Sequence, residues 1–212
     1  MINEISTNRG TYKYTPIELF YGRKIIDLDV CKNNLLNFKT ILDRNNVSFG
    51  LTYGTLLGAI REKNFIKYDE DVDVFCLDEN RETLLSLLFE LKNNGFVVAR
   101  YERDLLSIIR DDDYIDIYFF KKKILGRRVC NSDSINSFYL EKFDTINFLD
   151  TKFNVPKNPM YFLEKIYGLD WNIPKKNQPA VAVNLKFKVK KAIKSVLPNF
   201  LINYFKKILR IF

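Results

Sequence analysis

The chain has 212 residues, a net charge of +8, and 47% hydrophobic and 15% aromatic residues, which is enough for one domain with a buried core. Only 8 Gly and 6 Pro argue against a low-complexity sequence, and three widely spaced cysteines, Cys31, Cys76 and Cys130, fit neither a disulfide framework nor a zinc site. Because segment 1–14 lacks a signal-peptide core and no apolar run reaches about eighteen residues, we expect a cytoplasmic protein that does not span a membrane.

The first half of the chain alternates helical and extended patterns. Apolar residues at helical spacing predict a helix over about Asp27–Asn45, and Val47–Tyr53 is typical of a short strand. Gly54 and Thr55 then open a second helix. A helix start offers free N–H groups and partial positive charge to an anion, Gly54 allows close backbone approach, and Thr55 either caps the helix or binds phosphate.

Two carboxylates follow this turn. In an extended strand Asp71 and Asp73 share one face, while apolar residues face the core. Because neighbouring carboxylates repel, a strand that keeps both usually binds a cation. Oxygen ligands without His or Cys suit Mg²⁺, or Mn²⁺, better than Zn²⁺. An acidic surface loop is the alternative interpretation.

A third carboxylate lies further along the chain. We expect a helix over about Asn80–Asn93 and several strands within Phe96–Phe120, where Asp116 interrupts a run of β-branched and aromatic residues. Such an acid is costly unless it is paired, binds a metal, or faces a cleft or solvent. If its strand lies beside the strand of the first two acids, three carboxylates converge on a site suited to two-metal phosphoryl or nucleotidyl transfer.

The later segments are less regular. We interpret Phe138–Phe153 as irregular structure or paired strands and Asn158–Tyr167 as a helix, with Trp171 as a packing anchor or a stacking platform for a ligand. Together the elements predict an α+β fold, a mixed β-sheet with packed helices.

The excess positive charge lies near the C-terminus. Residues 186–212 contain eight basic residues and no acid among apolar residues, whereas residues 1–185 contain 26 of each sign. We predict one domain over 1–185 and a basic amphipathic helical tail over 186–212 that lies on an anionic membrane. A tail packed on the domain is the alternative. No recognised nucleic-acid module accompanies the lysines, so we expect no nucleic-acid partner.

Four sequence blocks resemble those of the LicD and fukutin-related proteins, which have the nucleotidyltransferase fold. The family carries Gly-Thr-Leu-Leu-Gly-X-X-Arg, Ile-Pro-Trp-Asp-Asp-Asp-X-Asp, a hydrophobic-Asp-hydrophobic strand, and often Tyr-Gly-X-X-Trp. The corresponding blocks, in the same order between about Val47 and Pro174, are Gly54–Arg61, Ile66–Asp73, Ile115–Ile117 and Tyr167–Trp171.

This resemblance implies a Mg²⁺-dependent transferase. It would move a phospho-substituent, such as phosphocholine, from a CDP-activated donor to a sugar hydroxyl of a lipid-linked or surface glycan (lipopolysaccharide, capsule or teichoic acid), at the inner face of the cell membrane. The implied catalytic and metal-binding residues are Asp71, Asp73 and Asp116, and the implied donor-phosphate residues are Gly54, Thr55 and Arg61. The chain has no His, so the base must be a carboxylate, a metal-bound hydroxide or the substrate itself, and Asp116 is the candidate that deprotonates the acceptor hydroxyl.

The chain also departs from the family blocks. Lys67 and Tyr68 replace Pro-Trp, and Glu70 replaces an Asp. The carboxylates are retained, but the blocks do not specify the donor. Two alternatives therefore remain: a nucleotidyltransferase that moves NMP from an NTP to a small molecule or protein, and a non-catalytic binding protein at the membrane surface.

Overall fold

The computed structural model describes residues 2–20 and 22–174. The chain divides into two units, Met1–Leu163 and Glu164–Phe212, and the predicted tail over 186–212 lies outside the described residues. The strands are β1 (Asn3–Thr7), β2 (Gly10–Tyr14), β3 (Phe49–Leu51), β4 (Val72–Leu77), β5 (Val97–Glu102), β6 (Leu105–Arg110), β7 (Asp113–Lys123), β8 (Arg127–Cys130), β9 (Asp133–Asn136), β10 (Asp144–Phe148) and β11 (Thr151–Val155). The helices are α1 (Leu28–Arg44), α2 (Tyr53–Arg61), α3 (Arg81–Ser86), α4 (Leu88–Asn93), α5 (Ser137–Glu141) and α6 (Pro159–Tyr167), with a 3₁₀ helix at Asp78–Asn80.

A mixed sheet forms the centre of the first unit, with strand order β3-β4-β7-β6-β5. Strands β4 and β7 are parallel, and the other neighbours in this order are antiparallel. Beyond the sheet, β7 continues to pair with β8, which pairs with β9. The predicted α+β fold with a mixed sheet is confirmed.

The pairing of β4 with β7 explains why both strands are so apolar. Each is a central strand of the sheet, and the apolar residues of both are almost fully buried: Val72, Val74, Cys76, Ile115, Ile117 and Phe119. The predicted alternation is confirmed for Asp73 and Asp116, which lie at the intervening positions of the same two strands. Asp71, predicted on the same strand as Asp73, directly precedes β4. The strand that bears Asp116 is a central strand and not a solvated edge.

Helix α1 begins where the sequence predicts. The Asp27 carboxylate accepts hydrogen bonds from the N–H groups of Asp29 and Val30 at 3.0 and 3.1 Å, so it caps the first turn. The buried side of the helix carries Leu35, Phe38, Ile41 and Leu42. Asn45 follows the last helical residue, and Asn46 has a φ of 56°, a left-handed conformation that asparagine tolerates.

Several boundaries differ from those predicted. The strand expected over Val47–Tyr53 is only Phe49–Leu51, because helix α2 already begins at Tyr53. The single helix expected over Asn80–Asn93 is a 3₁₀ helix followed by α3 and α4. They meet at Leu87, whose N–H donates to the carbonyls of both Thr83 and Leu84, a shared bond typical of a tightened helix end.

Three hairpins complete the described part of the first unit. The β1–β2 and β8–β9 hairpins are absent from the sequence-based expectations. The segment Phe138–Phe153, expected to be irregular or paired strands, contains most of α5, all of β10 and the first residues of β11, which pairs with β10. These strands have four or five residues each, too few for periodicity to distinguish them from loops.

No helix in the described ranges is long and apolar enough to cross a membrane.

The three cysteines are free and buried, and burial raises the pKa values of the Cys76 and Cys130 thiols to about 12. Their thiolate forms are therefore scarce at neutral pH, which makes them poor nucleophiles.

Gly58 in helix α2 is required by close packing. A Cβ at this position would lie 2.6 Å from the Asn64 carbonyl oxygen and 2.9 Å from the Ile66 nitrogen. Because both atoms belong to the backbone, we expect Gly58→Ala to lower the free energy of unfolding by about 1–3 kcal/mol, despite alanine's higher helix propensity.

Denaturant titration of Gly58→Ala beside Asn93→Ala measures this effect. Asn93 is exposed at the end of α4, so its replacement tests helix propensity without a clash and is expected to change stability little. A Gly58→Ala protein as stable as the native chain would contradict the close packing of α2 against Asn64 and Ile66.

Candidate active site

A row of polar side chains crosses four strands of the sheet. Asp73 of β4 is the register partner of Asp116 of β7, Asp116 that of Ser107 of β6, and Ser107 that of Arg100 of β5. Because register partners present their side chains to the same face, the four lie side by side. Asp73 and Asp116 are only 6% and 4% exposed, so two buried carboxylates meet at the centre of the row.

Asp116 is held by its neighbours in this row. The Ser107 hydroxyl donates a short hydrogen bond to Asp116 Oδ1. The Arg100 guanidinium lies 3.1 Å from Asp116 Oδ2, and its Nε donates to Ser107 Oγ at 3.1 Å. This charged pair with a bridging hydroxyl fixes the Asp116 carboxylate in one orientation.

The turn before helix α2 is bonded directly to the carboxylate strand. The Gly54 N–H donates to Asp73 Oδ2 at 2.9 Å, and the Asp73 N–H donates to Thr55 Oγ1 at 2.8 Å. The Thr52 N–H donates to the Asp73 carbonyl at 3.2 Å. These bonds place the start of the helix against the acids, so Thr55, which is 1% exposed, orients Asp73 in this structure.

Gly54 is needed for this close approach. A Cβ on Gly54 would lie 2.5 Å from Asp69 Oδ2 and 3.2 Å from Asp73 Oδ2, closer than side-chain contacts allow. Any larger residue would push the turn away from the carboxylates or displace them. The close backbone approach predicted at Gly54 is observed, and the groups that approach it are the Asp69 and Asp73 carboxylates.

The residue before Gly54 has an unusual backbone conformation. Tyr53 has a φ of 41°, which costs a bulky residue roughly 1–3 kcal/mol. Its hydroxyl donates to Asp133 Oδ2 at 2.6 Å, and its ring contacts that of Tyr118 edge-on at 4.9 Å. These contacts hold the turn in place, as expected where strain is kept at a functional site.

The acidic side chains of the site are buried close together, and this changes their pKa values. Burial raises the pKa values of Asp71, Asp73 and Asp116 above the usual carboxyl range. Repulsion between the carboxylates raises those of Asp71 and Asp73 further, whereas hydrogen bonds from Ser107 and Arg100 lower that of Asp116. Burial also raises the pKa of Asp69 to about 6. A site that gathers partly uncompensated acids is suited to a cation.

The chemistry of the site fits a hard divalent cation. Its ligand atoms are carboxylate oxygens, with neither imidazole nor thiolate among them, which suits Mg²⁺ or Mn²⁺. In the described ranges no three His, Cys, Asp or Glu side chains are arranged as a complete metal centre, and Asp116 is bonded to Arg100 and Ser107. Cation binding by Asp71, Asp73 and Asp116 remains a prediction.

The remaining predicted site residue lies apart from this cluster. Arg61 is the last residue of α2, seven positions after Gly54, or roughly 10 Å along the helix axis. Its guanidinium pairs with Glu62 at 2.5 Å. The structure therefore brings together Gly54, Thr55, Asp71, Asp73 and Asp116, while the role of Arg61 as a phosphate ligand remains a prediction.

Several residues that surround the acids are absent from the predicted site: Asp69, Arg100, Ser107 and Tyr118. A signal for two of them exists in the β5–β6 hairpin. Counting outward from its two-residue turn at Arg103 and Asp104 pairs Arg100 with Ser107.

A cavity of about 340 Å³ adjoins Arg100, with Tyr14, Glu18, Tyr101 and Glu102 among its lining residues.

A mixed sheet with paired acids beside a glycine-containing helix start defines a nucleotidyltransferase-type domain. The LicD/FKTN/FKRP nucleotidyltransferase domain model matches residues 46–158, which is more than half of the chain. The chain belongs to this family, and the expected family resemblance is confirmed.

Two relatives illustrate the range of the family. Lipopolysaccharide cholinephosphotransferase LicD of Haemophilus influenzae is 38% identical over 86 residues, which are 37% of this chain and 32% of LicD. Ribitol-5-phosphate transferase FKTN of Homo sapiens is 28% identical over 146 residues, which are 64% of this chain and 32% of FKTN. The chain therefore spans about a third of the length of each relative.

Among solved structures, the chain is similar to the lincosamide antibiotic adenylyltransferase LnuA in its lincomycin-bound form. The superposition covers 66% of this chain and 86% of LnuA, with 12% sequence identity and a TM-score of 0.47.

Proposed function

We propose that the chain is a Mg²⁺-dependent transferase that moves a phosphate-linked substituent from a CDP-activated donor to a sugar hydroxyl of a cell-surface glycan. The observation that carries the proposal is the register pair of Asp73 and Asp116 beside the Gly54 turn. Membership of a family that contains a cholinephosphotransferase and a ribitol-5-phosphate transferase supports this class of reaction. The proposed acceptor glycans are lipopolysaccharide, capsule and teichoic acid.

The chemistry requires a new phosphorus–oxygen bond. The acceptor hydroxyl oxygen attacks the phosphorus of the transferred group. The bond from that phosphorus to the bridging oxygen breaks, and CMP leaves with this oxygen. A base accepts the hydroxyl proton. Asp71, Asp73 and Asp116 would hold Mg²⁺, which when bound would neutralise the charge of the donor phosphates.

The chain's own residues have distinct roles in this proposal. Asp73 is fixed by the Gly54 N–H and by a hydrogen bond from Tyr118, so its orientation is set before the donor arrives. Asp116 accepts the proton of the acceptor hydroxyl. The Arg100 guanidinium holds Asp116 in position for this step.

A ligand panel tests the proposal. Thermal unfolding is measured with Mg²⁺ and each of CDP-choline, CDP-ethanolamine, CDP-glycerol, CDP-ribitol and the four NTPs, for the native chain and for Asp71→Asn. We expect one CDP-alcohol to stabilise the native chain only, because a ligand at a hundred times its Kd adds about 2.7 kcal/mol. Asp43→Asn, which alters an exposed carboxylate of α1, is the matched control.

Each outcome of the panel has a meaning. Stabilisation by a CDP-alcohol, followed by CMP release when glycan acceptor is added, supports the transferase and names its donor. Stabilisation by NTPs alone supports transfer of NMP instead, because that reaction uses the same carboxylates. A chain that responds to no nucleotide contradicts both activities and favours a non-catalytic binding protein.

We further propose that the enzyme works at the inner face of the cell membrane, where a lipid-linked acceptor would be available. The predicted basis is the basic tail over 186–212, with its eight basic residues and no acid. Attraction to an anionic surface contributes about 1 kcal/mol per basic residue and weakens with salt.

A further inference from the structure

The tip of the β7–β8 hairpin exposes two large apolar side chains. Strand β7 ends at Lys123, β8 begins at Arg127, and three residues connect them. Ile124 is 85% exposed and Leu125 is 91% exposed, the largest fractions among the exposed large hydrophobic residues in the described ranges. Two adjacent aliphatic side chains so exposed within the described part of the chain call for an explanation outside the folded domain.

The backbone conformation at the tip is unfavourable for Leu125. Leu125 has a φ of 60° and Gly126 a φ of 63°, the left-handed region in which glycine, asparagine and aspartate are preferred. A leucine there combines backbone strain with exposed apolar surface. A residue type that does not suit its backbone conformation or its exposure often lies at a functional position.

The tip is nevertheless a well-defined structure. The β7–β8 ladder continues to the Lys123–Arg127 pair at its end. The Ser137 N–H donates to the Gly126 carbonyl at 2.8 Å, and Arg127 Nε donates to Ser134 Oγ at 3.1 Å. The exposed pair is therefore presented on a fixed support, so little conformational freedom is lost when it is buried against a partner.

Positive charge surrounds the apolar pair. The segment 121–128 contains five basic residues and no acid. The buried Arg128 is committed to pairs with Glu79 and Glu141, and Lys121 pairs with Asp104. The two lysines nearest the tip are much freer. The Lys122 side chain is 66% exposed and its nearest acid oxygen is 3.9 Å away, while Lys123 is exposed and has no ion pair among the described residues.

We propose that this hairpin tip inserts into the surface of an anionic lipid bilayer. Ile124 and Leu125 enter the boundary between headgroups and acyl chains, and Lys122 and Lys123 bind the anionic headgroups. This surface is separate from the predicted tail contact, and its membrane binding does not depend on the transfer chemistry.

The shape and composition of the tip favour lipid over the other partners. A convex tip with two apolar residues is much smaller than a stable protein–protein interface. It has no aromatic side chain on which a nucleic-acid base could stack. Two apolar side chains flanked by lysines match a bilayer surface. There the apolar side chains can be buried beside the acyl chains while the lysines are attracted to the anionic headgroups.

Insertion at this tip has a consequence for the active site. Asp116 lies eight residues before Ile124 along the same chain, and at about 3.3 Å per residue the strand spans roughly 26 Å. A bilayer that holds the tip would hold the carboxylates up to about that distance away. If the proposed transfer is correct, the acceptor sugar must be reached within that distance of the bilayer.

A fluorescent probe at the tip tests insertion directly. Leu125→Cys in the full chain is labelled with the environment-sensitive dye NBD, and the buried native cysteines remain unlabelled under native conditions. The matched control carries the dye at Asn8→Cys, in the exposed turn of the β1–β2 hairpin. Vesicles consist of phosphatidylcholine alone or with about one third phosphatidylglycerol, which supplies the anionic surface.

We expect NBD at position 125 to shift to the blue and brighten several-fold with anionic vesicles, while NBD at position 8 stays unchanged. An unchanged spectrum at position 125 overturns the proposal, even if the protein sediments with the vesicles, because binding then occurs elsewhere on the chain. Equal shifts at both positions also overturn it, since they indicate general adsorption.

A second variant removes the apolar pair without harming the fold. Ile124→Ser with Leu125→Asn places a residue that tolerates the left-handed region at position 125. We expect its partition onto anionic vesicles to fall at least tenfold, because burying each aliphatic side chain accounts for about that factor. Ile2→Ser, at a 67% exposed residue, is the matched control. A double variant that partitions like the native chain contradicts insertion of the tip.

Discussion

Replacing Asp71 with asparagine is expected to abolish turnover and, in EDTA, to make the protein more stable. Asp71 adjoins the buried Asp73 and Asp116, and its pKa is raised by burial and by repulsion from these two carboxylates. Asparagine retains the size of the side chain and removes its charge. Relief of one such repulsion is worth on the order of 1 kcal/mol, which corresponds to about 2–4 °C in Tm for a domain of this size.

The opposite signs of the two effects make the prediction specific. A residue that only supports the fold would lose stability and activity together, whereas a cation ligand loses activity and gains stability in the absence of the cation. We also expect Mg²⁺ to raise the Tm of the native chain but not that of Asp71→Asn. Thermal unfolding in EDTA and in Mg²⁺, with CMP release as the assay, measures all three effects.

The pH dependence of stability gives a further test of the same charges. A carboxyl group whose pKa is higher in the folded than in the unfolded state binds its proton more tightly when folded. Its contribution to stability is therefore lost as the pH rises from the unfolded value toward the folded value. For Asp69 this window extends from 3.8 to about 6. In EDTA, native stability should fall across this window, and the advantage of Asp71→Asn should grow.

Full turnover by Asp71→Asn would contradict the metal-site assignment outright. A lower Tm than that of the native chain in EDTA would contradict the repulsion and indicate that Asp71 supports the fold. Asp43→Asn removes an exposed carboxylate that pairs with Lys39 and is expected to change neither activity nor the response to Mg²⁺.

The central part of this site could be predicted from local sequence because strand alternation has a period of two. That period places Asp73 and Asp116 at intervening positions of two apolar strands, and both strands are central in the sheet. The small residue Gly54 marks the turn for a similar reason, since close backbone approach needs the absence of a side chain. Each of these features is determined within a few residues along the chain.

Long-range pairing determines the features that sequence reasoning missed. Arg100 meets Asp116 only because β5 pairs with β6 and β6 with β7 in one register, and a one-residue slip would turn its side chain to the other face. The bulge between Val98 and Arg100 changes the alternation of β5.

Removing the Arg100 side chain is expected to destabilise the protein strongly when no cation is present. Arg100 supplies the positive charge that pairs with Asp116, which is 4% exposed. Without it, Asp116 and Asp73 lie side by side with little compensation. Breaking a fully buried pair costs 3–5 kcal/mol, and because the Arg100 side chain is 27% exposed, we expect about 2 kcal/mol for Arg100→Ala.

Mg²⁺ should recover much of this loss. Arg100 and a cation compete for the same carboxylate, so the Mg²⁺ concentration that gives half-maximal stabilisation should be lower in Arg100→Ala than in the native chain. The value of kcat should nevertheless fall, because Asp116 is no longer held in one orientation. Arg100→Lys retains the charge but cannot donate to both Ser107 and Asp116 with the same geometry, so it should restore more stability than turnover.

A double-mutant cycle separates the pair from other effects of the substitution. Denaturant titrations in EDTA compare the native chain, Arg100→Ala, Asp116→Asn and the double variant. The loss caused by Arg100→Ala should nearly vanish when Asp116 is already neutral, since its origin is the unpaired carboxylate. Arg44→Ala, which breaks a more exposed pair with Glu90, should cost less than about 1 kcal/mol. If Arg100→Ala costs the same in the presence and absence of the Asp116 charge, its role is packing, and the cation site must be compensated by other residues.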